Sequence, residues 1–243
     1  MKKYELTAEF IEKWGKKLFR IKALISFGSV EVGELGGYVE KEDNLAQDGN
    51  AWVYGNARVY GNAWVYGNAR VYGNAEVYGD ARVYGNAEVY GDARVCGDAE
   101  VCGNAWVCGN AEVYGNARVC GDAWVCGNAR VYGNAVVYGN ARVYGNAWVC
   151  GDAEVCGNAD YLLIGRIGSR FSFTTFFKNK DKGITVSCGC FLGTIAEFRA
   201  KVSDTHGNNK HAKIYNLAAD MAELQILGEE YFDKLNTNKS EPF

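Results

Sequence analysis

The sequence predicts an all-β solenoid, a parallel β-helix with three hexapeptides per coil, followed by a small α+β C-terminal domain. Three observations predict it. Residues 49–156 are one phrase, Gly-(Asn/Asp)-Ala-X-Val-(Tyr/Cys), repeated 18 times without an insertion. Self-similarity at a short fixed period marks a solenoid. Ala and Val never vary within the phrase, whereas X and Tyr/Cys do. Alternation along a strand separates the two pairs, so the small apolar pair faces the interior and the variable pair faces out. Grouping the repeats in threes stacks residues 18 apart and orders the charges at X. One face reads Arg58, Glu76, Arg94, Glu112, Arg130, Trp148. The second reads Trp64, Arg82, Glu100, Arg118, Val136, Glu154, and the third Trp52, Arg70, Glu88, Trp106, Trp124, Arg142. No like charges are neighbours at X on any face, as cross-strand pairing favours.

Gly-(Asn/Asp) supplies the corners, because Gly and Asn adopt the left-handed backbone of a tight bend most readily. Three straights and three corners close a triangular coil. This phrase resembles the hexapeptide-repeat proteins across the 108 residues 49–156, and the resemblance implies a left-handed β-helix, with the repeat domain spanning 49–159. Residues 1–48 read as an N-terminal cap with degenerate first coils, since a solenoid needs an atypical end to cover its core and strand edges. Leu18–Leu24 alternates as a strand, while Lys2–Lys17 is compatible with either a short helix or a strand. Leu35–Val39 and Asp43–Ala46 read as imperfect coils.

Residues 160–243 read as a separate α+β module. Tyr161–Ile167, Phe171–Phe177 and Ile184–Cys188 have strand character. Thr194 and Glu197 form a capping box for a helix to about Ser203, with Phe198 and Val202 inward. A second helix, Asn209–Leu227, carries an apolar stripe of Ile214, Leu217, Ala218, Met221 and Leu224 that is expected to face the core. From Gly228 the chain is polar and is expected to fray.

The formal charge of −3 is supplied entirely by the repeats, with no basic stripe to hold a phosphate backbone, so nucleic acid is not an expected partner. No stretch is apolar and long enough for a transmembrane helix, and no signal-peptide core is recognisable at the N-terminus. With nine Cys this points to a reducing, cytoplasmic compartment. Seven of the Cys occupy the outward Tyr position, where Cys102 stacks with Cys120 and Cys108 with Cys126. In-register neighbours rarely offer disulfide geometry, so exchange of Tyr for Cys at an outward site is the expectation.

Leu18-Phe19-Arg20-Ile21-Lys22-Ala23-Leu24, Leu35-Gly36-Gly37-Tyr38-Val39-Glu40, the repeats, and Cys188-Gly189-Cys190-Phe191-Leu192-Gly193-Thr194 together resemble a group of bacteriophage and prophage proteins. The resemblance spans nearly the whole chain. It implies a phage-type source and this architecture, without an activity.

The residues bear on three kinds of site. Acyl transfer on a hexapeptide helix needs a general-base His beside a loop that interrupts the coils. The two His, His206 and His211, lie outside uninterrupted repeats, so no catalytic residue and no cofactor are assigned. A zinc site could combine Cys188, Cys190, His206 and His211, although Cys-x-Cys is tight for a zinc pair and a strand-end turn explains it as well. The third reading is an outward face of aromatics and Arg, the residues of interface hot spots: Trp52, Tyr54, Tyr60, Trp64, Tyr66, Arg70, Tyr72, Tyr78, Tyr84, Tyr90, Trp106 and Trp124. The alternative is that these rings only shield the sheet. The combined expectation is a non-catalytic binding or scaffold protein, with a protein partner and homo-oligomerisation, and with host-directed blocking of a host factor as a narrower form. A self-assembling solenoid and an acyltransferase-like enzyme at an inter-subunit cleft are the alternatives.

Overall fold

The computed structural model describes residues 1–228 and Tyr231. The expected polar tail beyond Gly228 lies outside the described residues. The N-terminal segment forms β1 (Tyr4–Lys13), β2 (Lys16–Ala23) and β3 (Leu35–Val39). The repeats supply 18 two-residue strands, β4 to β21, from Trp52–Val53 to Glu154–Val155. The C-terminal part contains β22 (Tyr161–Ile167), β23 (Ser172–Lys178), β24 (Ile184–Cys188), β25 (Phe191–Thr194), α1 (Ile195–His206) and α2 (Lys210–Leu227).

The repeat strands stack in three parallel sheets of six, pairing residues 18 apart: Arg58 on Glu76, Trp64 on Arg82, Trp52 on Arg70. The chain is a parallel β-solenoid. Each hexapeptide satisfies its backbone on the next coil. Asp80, Arg82 and Tyr84 donate N–H to the carbonyls of Gly97, Ala99 and Val101, each at 2.9 Å. Every repeat Ala and Val is buried, so the interior is a continuous column of two small side chains. At the corners only Gly adopts the left-handed conformation; Gly85 is typical at φ +73°. A Cβ there would also stand 2.9 Å from the backbone of Gly103, so the position excludes a side chain twice over. Asn takes no left-handed backbone. Its amide serves the stack instead, as in Asn68 Nδ2 donating to Asn86 Oδ1 and Asn86 Nδ2 to Asn104 Oδ1, each at 3.0 Å.

Both ends of the column are closed. At the N-terminal end Lys2–Lys17, open between helix and strand, is strand: β1 pairs antiparallel with β2, β2 with β3, and β3 continues the repeat sheet on β5 (Arg58–Val59). Trp52 is wholly buried beneath this cap, edge-on to Tyr4 and Phe27 at 6.0 and 5.4 Å. Tyr4 is fixed from its other end, its hydroxyl donating to the carbonyls of Glu42 (2.7 Å) and Leu45 (2.8 Å). At the C-terminal end the antiparallel sheet β22–β23–β24–β25 covers the last coil. Alternation along β23 divides its side chains: Phe177 enters the solenoid core, and Phe176 packs with Val186, Phe198 and Tyr215 under the helices. The C-terminal sheet is therefore sandwiched between the solenoid end and the two helices.

The capping box forms, with Glu197 N–H donating to Thr194 Oγ1 (3.3 Å) and Thr194 N–H to Glu197 Oε2 (2.8 Å). Helix α2 corrects the expected inward stripe. Its buried residues are Ala212, Tyr215, Ala218, Ala219, Ala222 and Ile226. Ile214, Leu217, Met221 and Leu224 are instead 38, 62, 57 and 41 % exposed. Small residues let the helix backbone approach the sheet closely, and Tyr215 fills the space that Gly168 leaves open, where a Cβ would collide with the phenol. Close approach outweighs the apolar count.

Candidate functional site

The outward aromatics are arranged by the stacking of coils. Tyr60 and Tyr78, Tyr66 and Tyr84, and Tyr72 and Tyr90 stack with ring centroids 4.8–5.0 Å apart and planes within 8°. Trp106 and Trp124 stack at 4.7 Å, with the guanidinium of Arg142 4.6 Å above the Trp124 ring. Such spacing follows directly from the strand separation, which places like rings in van der Waals contact. The phenols are then tied to carboxylates one coil on. Tyr72 donates to Glu88 Oε2 at 2.7 Å, Tyr60 to Glu76 Oε2 at 3.1 Å and Tyr84 to Glu100 Oε2 at 3.4 Å. Burial, and after it the Glu88 contact, pushes the Tyr72 phenol well above its ordinary value. Burial, and then the bond to Cys96, raises Tyr78 to about 12. These hydroxyls stay protonated near neutrality and serve as donors.

The twelve outward residues do not form one surface. They divide among three sheets. Trp52 is buried by the cap and is corrected from an outward site to a core residue. Tyr60 is also buried, and Leu18, Tyr38, Ile11 and Tyr78 pack around it, because the β1–β2 hairpin folds over the start of that face. Tyr54 is half-buried against the core, its hydroxyl 3.3 Å from Ser29 Oγ. Trp64, 43 % exposed, lies on Tyr66. Arg70 is exposed beside Glu88, 3.6 Å away. Tyr90 meets Trp106 edge-on at 6.2 Å.

The charge ladders form as the 18-residue register requires. On the first face Glu112 is shared between Arg94 (3.4 Å) and Arg130 (3.1 Å). On the second, Glu100 lies between Arg82 (3.6 Å) and Arg118 (3.4 Å). Exposed pairs of this kind add little stability each and act mainly to specify register. One like-charge stack is found at the corners, outside position X. Asp80 lies one coil below Asp98, in a column where Asn62 donates to Asp80 at 3.0 Å.

The cysteine expectation is overturned. Cys102–Cys120 and Cys108–Cys126 are disulfides. The parallel register puts each pair of Cα atoms 4.6 Å apart, inside the span that a disulfide bridges. Each bond staples two successive coils on a different face, and the second lies beside the Trp106–Trp124 stack, since each Cys follows its Trp by two positions on the same side of the strand.

The four zinc candidates are not brought together. Among the described residues no group of three or more His, Cys, Asp or Glu could hold a metal ion. Cys188 pairs with Phe191 across the β24–β25 hairpin, so Gly189 and Cys190 form its two-residue turn and Cys190 points to solvent. Cys188 instead accepts from Thr174 Oγ1 at 3.2 Å. His206, in the last turn of α1, stacks on Tyr215 at 5.7 Å and lies 5.9 Å from His211. The Cys-Gly-Cys spacing reflects the turn.

The exposed stripe of α2, expected in the core, is a surface instead. Ile214, Leu217, Met221 and Leu224 follow one another at intervals of three, four and three, the spacing of a coiled-coil seam. The helix begins with Lys210, His211 and Lys213 and carries Asp220 and Glu223 in its second half, both of which bind Arg199 of α1 (2.7 and 2.6 Å). The intervals were readable, but which of two apolar faces turns inward was not. No helix among the described residues is long and apolar enough to cross a membrane.

A family model described as the YdcK beta solenoid repeat matches residues 51–67, 63–79, 81–97, 111–127, 123–139 and 137–151. The repeats are similar to that family, whereas the cap and the C-terminal domain lie outside the matched segments. No curated protein matches the chain.

Proposed function

We propose that this chain is a non-catalytic scaffold that pairs with a second copy of itself through α2, with the solenoid as a rigid spacer. The observation that carries this is the stripe Ile214–Leu217–Met221–Leu224, four large apolar side chains left exposed along one helix face. A scaffold role is compatible with a solenoid of uninterrupted coils, whose length is set by repeat number. A reversed second copy places Ile214 opposite Leu224 and Leu217 opposite Met221. It also sets the two helix dipoles antiparallel. Growth end to end is disfavoured because both ends of the column are plugged, by Trp52 and by Phe177. The narrower reading, a phage or prophage protein that blocks a host factor, rests on sequence resemblance alone.

Light scattering on the full chain tests the pairing. The wild type is expected to be a dimer, and Leu217→Lys with Met221→Lys a monomer that still unfolds cooperatively, at a temperature that no longer depends on protein concentration. A monomeric wild type, or a dimer that survives both substitutions, overturns it.

A further inference from the structure

Two side-chain ladders of the solenoid run out at the same cavity, each with a donor at its end. The cavity has a volume of about 420 Å³ and lies between the last coils and the C-terminal sheet, within the size range of small-ligand sites. Arg130, Asn146 and Trp148 line it from the solenoid, and Ser172, Phe173 and Ser187 from the sheet.

The first ladder is of amides. Asn110 Nδ2 donates to Asn128 Oδ1 at 3.2 Å, and Asn128 Nδ2 to Asn146 Oδ1 at 3.1 Å. Eighteen residues on from Asn146 the repeats have ended, and the chain has Ile164 in strand β22 of the C-terminal sheet. Asn146 Nδ2 therefore ends the chain of donors and, among the described residues, gives its protons to no protein acceptor. Aligned amides polarise one another, which strengthens the terminal donor.

The second ladder is of charges. Arg58, Glu76, Arg94, Glu112 and Arg130 alternate, and the alternation would place a carboxylate at the next rung. That rung is Trp148. The guanidinium of Arg130 meets the indole ring at 5.2 Å where its predecessor Arg94 meets Glu112. The Trp148 backbone N–H is already committed to Thr175 Oγ1 at 3.1 Å, which holds this rung against the sheet. Among the described residues no acidic side chain lines the cavity.

We propose that the cavity binds a small anion carrying a planar ring. The anionic group takes the place of the missing carboxylate, between Arg130 and the terminal amide of Asn146. The ring lies against the aromatic walls of Trp148 and Phe173, and the serine hydroxyls satisfy polar substituents. An aromatic carboxylate and a nucleoside monophosphate share this chemistry. The site is independent of the α2 pairing. Because it is built from the last coils, a change of repeat number upstream leaves it intact.

Calorimetric titration of the full chain with adenosine 5′-monophosphate and, separately, with indole-3-acetate tests the proposal. At least one probe is expected to bind with a Kd below about 1 mM. The nucleotide alone identifies a phosphate site and indole-3-acetate alone a carboxylate site. Asn146→Asp keeps the acceptor for Asn128 but turns the terminal donor into a negative charge, and should weaken binding about tenfold or more. Asn68→Asp, the same change in a ladder away from the cavity, should leave it unaltered. Arg130→Gln should also weaken binding, with its melting curve confirming the fold. Absence of heat from both probes at several times that concentration overturns the proposal, as does binding that Asn146→Asp leaves unchanged.

Discussion

The ammonium of Lys13, at the tip of the N-terminal hairpin, is bonded to the carboxylate of Glu76 on the second coil, 63 residues along the chain. Arg58 and Tyr60 hold the same carboxylate at 3.0 and 3.1 Å. Burial opposes ionisation of Glu76, but Lys13, Tyr60 and Arg58 outweigh it and hold the carboxyl below its ordinary value. This one side chain locks the cap onto the repeats.

A carboxyl whose folded-state pKa is depressed contributes stability above its unfolded value, about 4.3, and loses it as the pH falls below that value. Glu76→Gln is therefore expected to cost about 1–3 kcal/mol at pH 7. The difference from the wild type should shrink as the pH is lowered from 5 to 3. Urea unfolding of both proteins across that range measures it, and a gap that stays constant with pH would contradict the assignment.

Trp52 and Trp64 are the same letter of the same phrase, yet one is wholly buried and the other 43 % exposed. Trp52→Ala should cost about 3–5 kcal/mol, because it empties the plug between Tyr4 and Phe27. Trp64→Ala should cost about 1 kcal/mol or less. Equal losses in chemical denaturation would refute the buried position of Trp52.

Asp80→Asn should stabilise the protein. It removes the like-charge stack on Asp98, keeps an acceptor for Asn62 and adds a donor toward Asp98. A gain of about 0.5–1 kcal/mol is expected. Asn86→Asp should do the reverse, since it deletes the bond to Asn104. Melting temperatures of the two variants are expected to move in opposite directions.

Whole coils should be removable, because each bonds only to its neighbours. Deleting residues 121–138 brings Arg118 onto Glu154 and Glu112 onto Trp148, with no like pair at X. Deleting residues 97–114 removes the same length but stacks Arg82 on Arg118 and Arg94 on Arg130. Both proteins should unfold cooperatively under reducing conditions, the second less stable by about 0.5–2 kcal/mol. Non-cooperative melting of the first would count against a modular solenoid.

The sequence by itself determined the solenoid, its 18-residue register in three columns and the identity of its interior. An uninterrupted six-residue period leaves one way to bury Ala and Val together while alternating the charges at X. It also determined three of the four C-terminal strands and the capped helix, whose signals are local, Thr194 with Glu197 and Phe198 with Val202, whereas the short β25 was not foreseen. Tertiary structure decided what local pattern leaves degenerate. Helix α2 has two apolar faces, and the close approach to the sheet selected the alanines, turning Leu217 and Met221 outward. The repeat phrase gives Trp52 the same outward register as Trp64, and only the folding of the cap over the first coil buries one of them. Cys102 and Cys120 occupy a position that Tyr also fills, so spacing could not show that they are joined. The cavity at Arg130 and Asn146 exists because two ladders end where an unrelated sheet begins, a relation between distant segments that no periodicity contains.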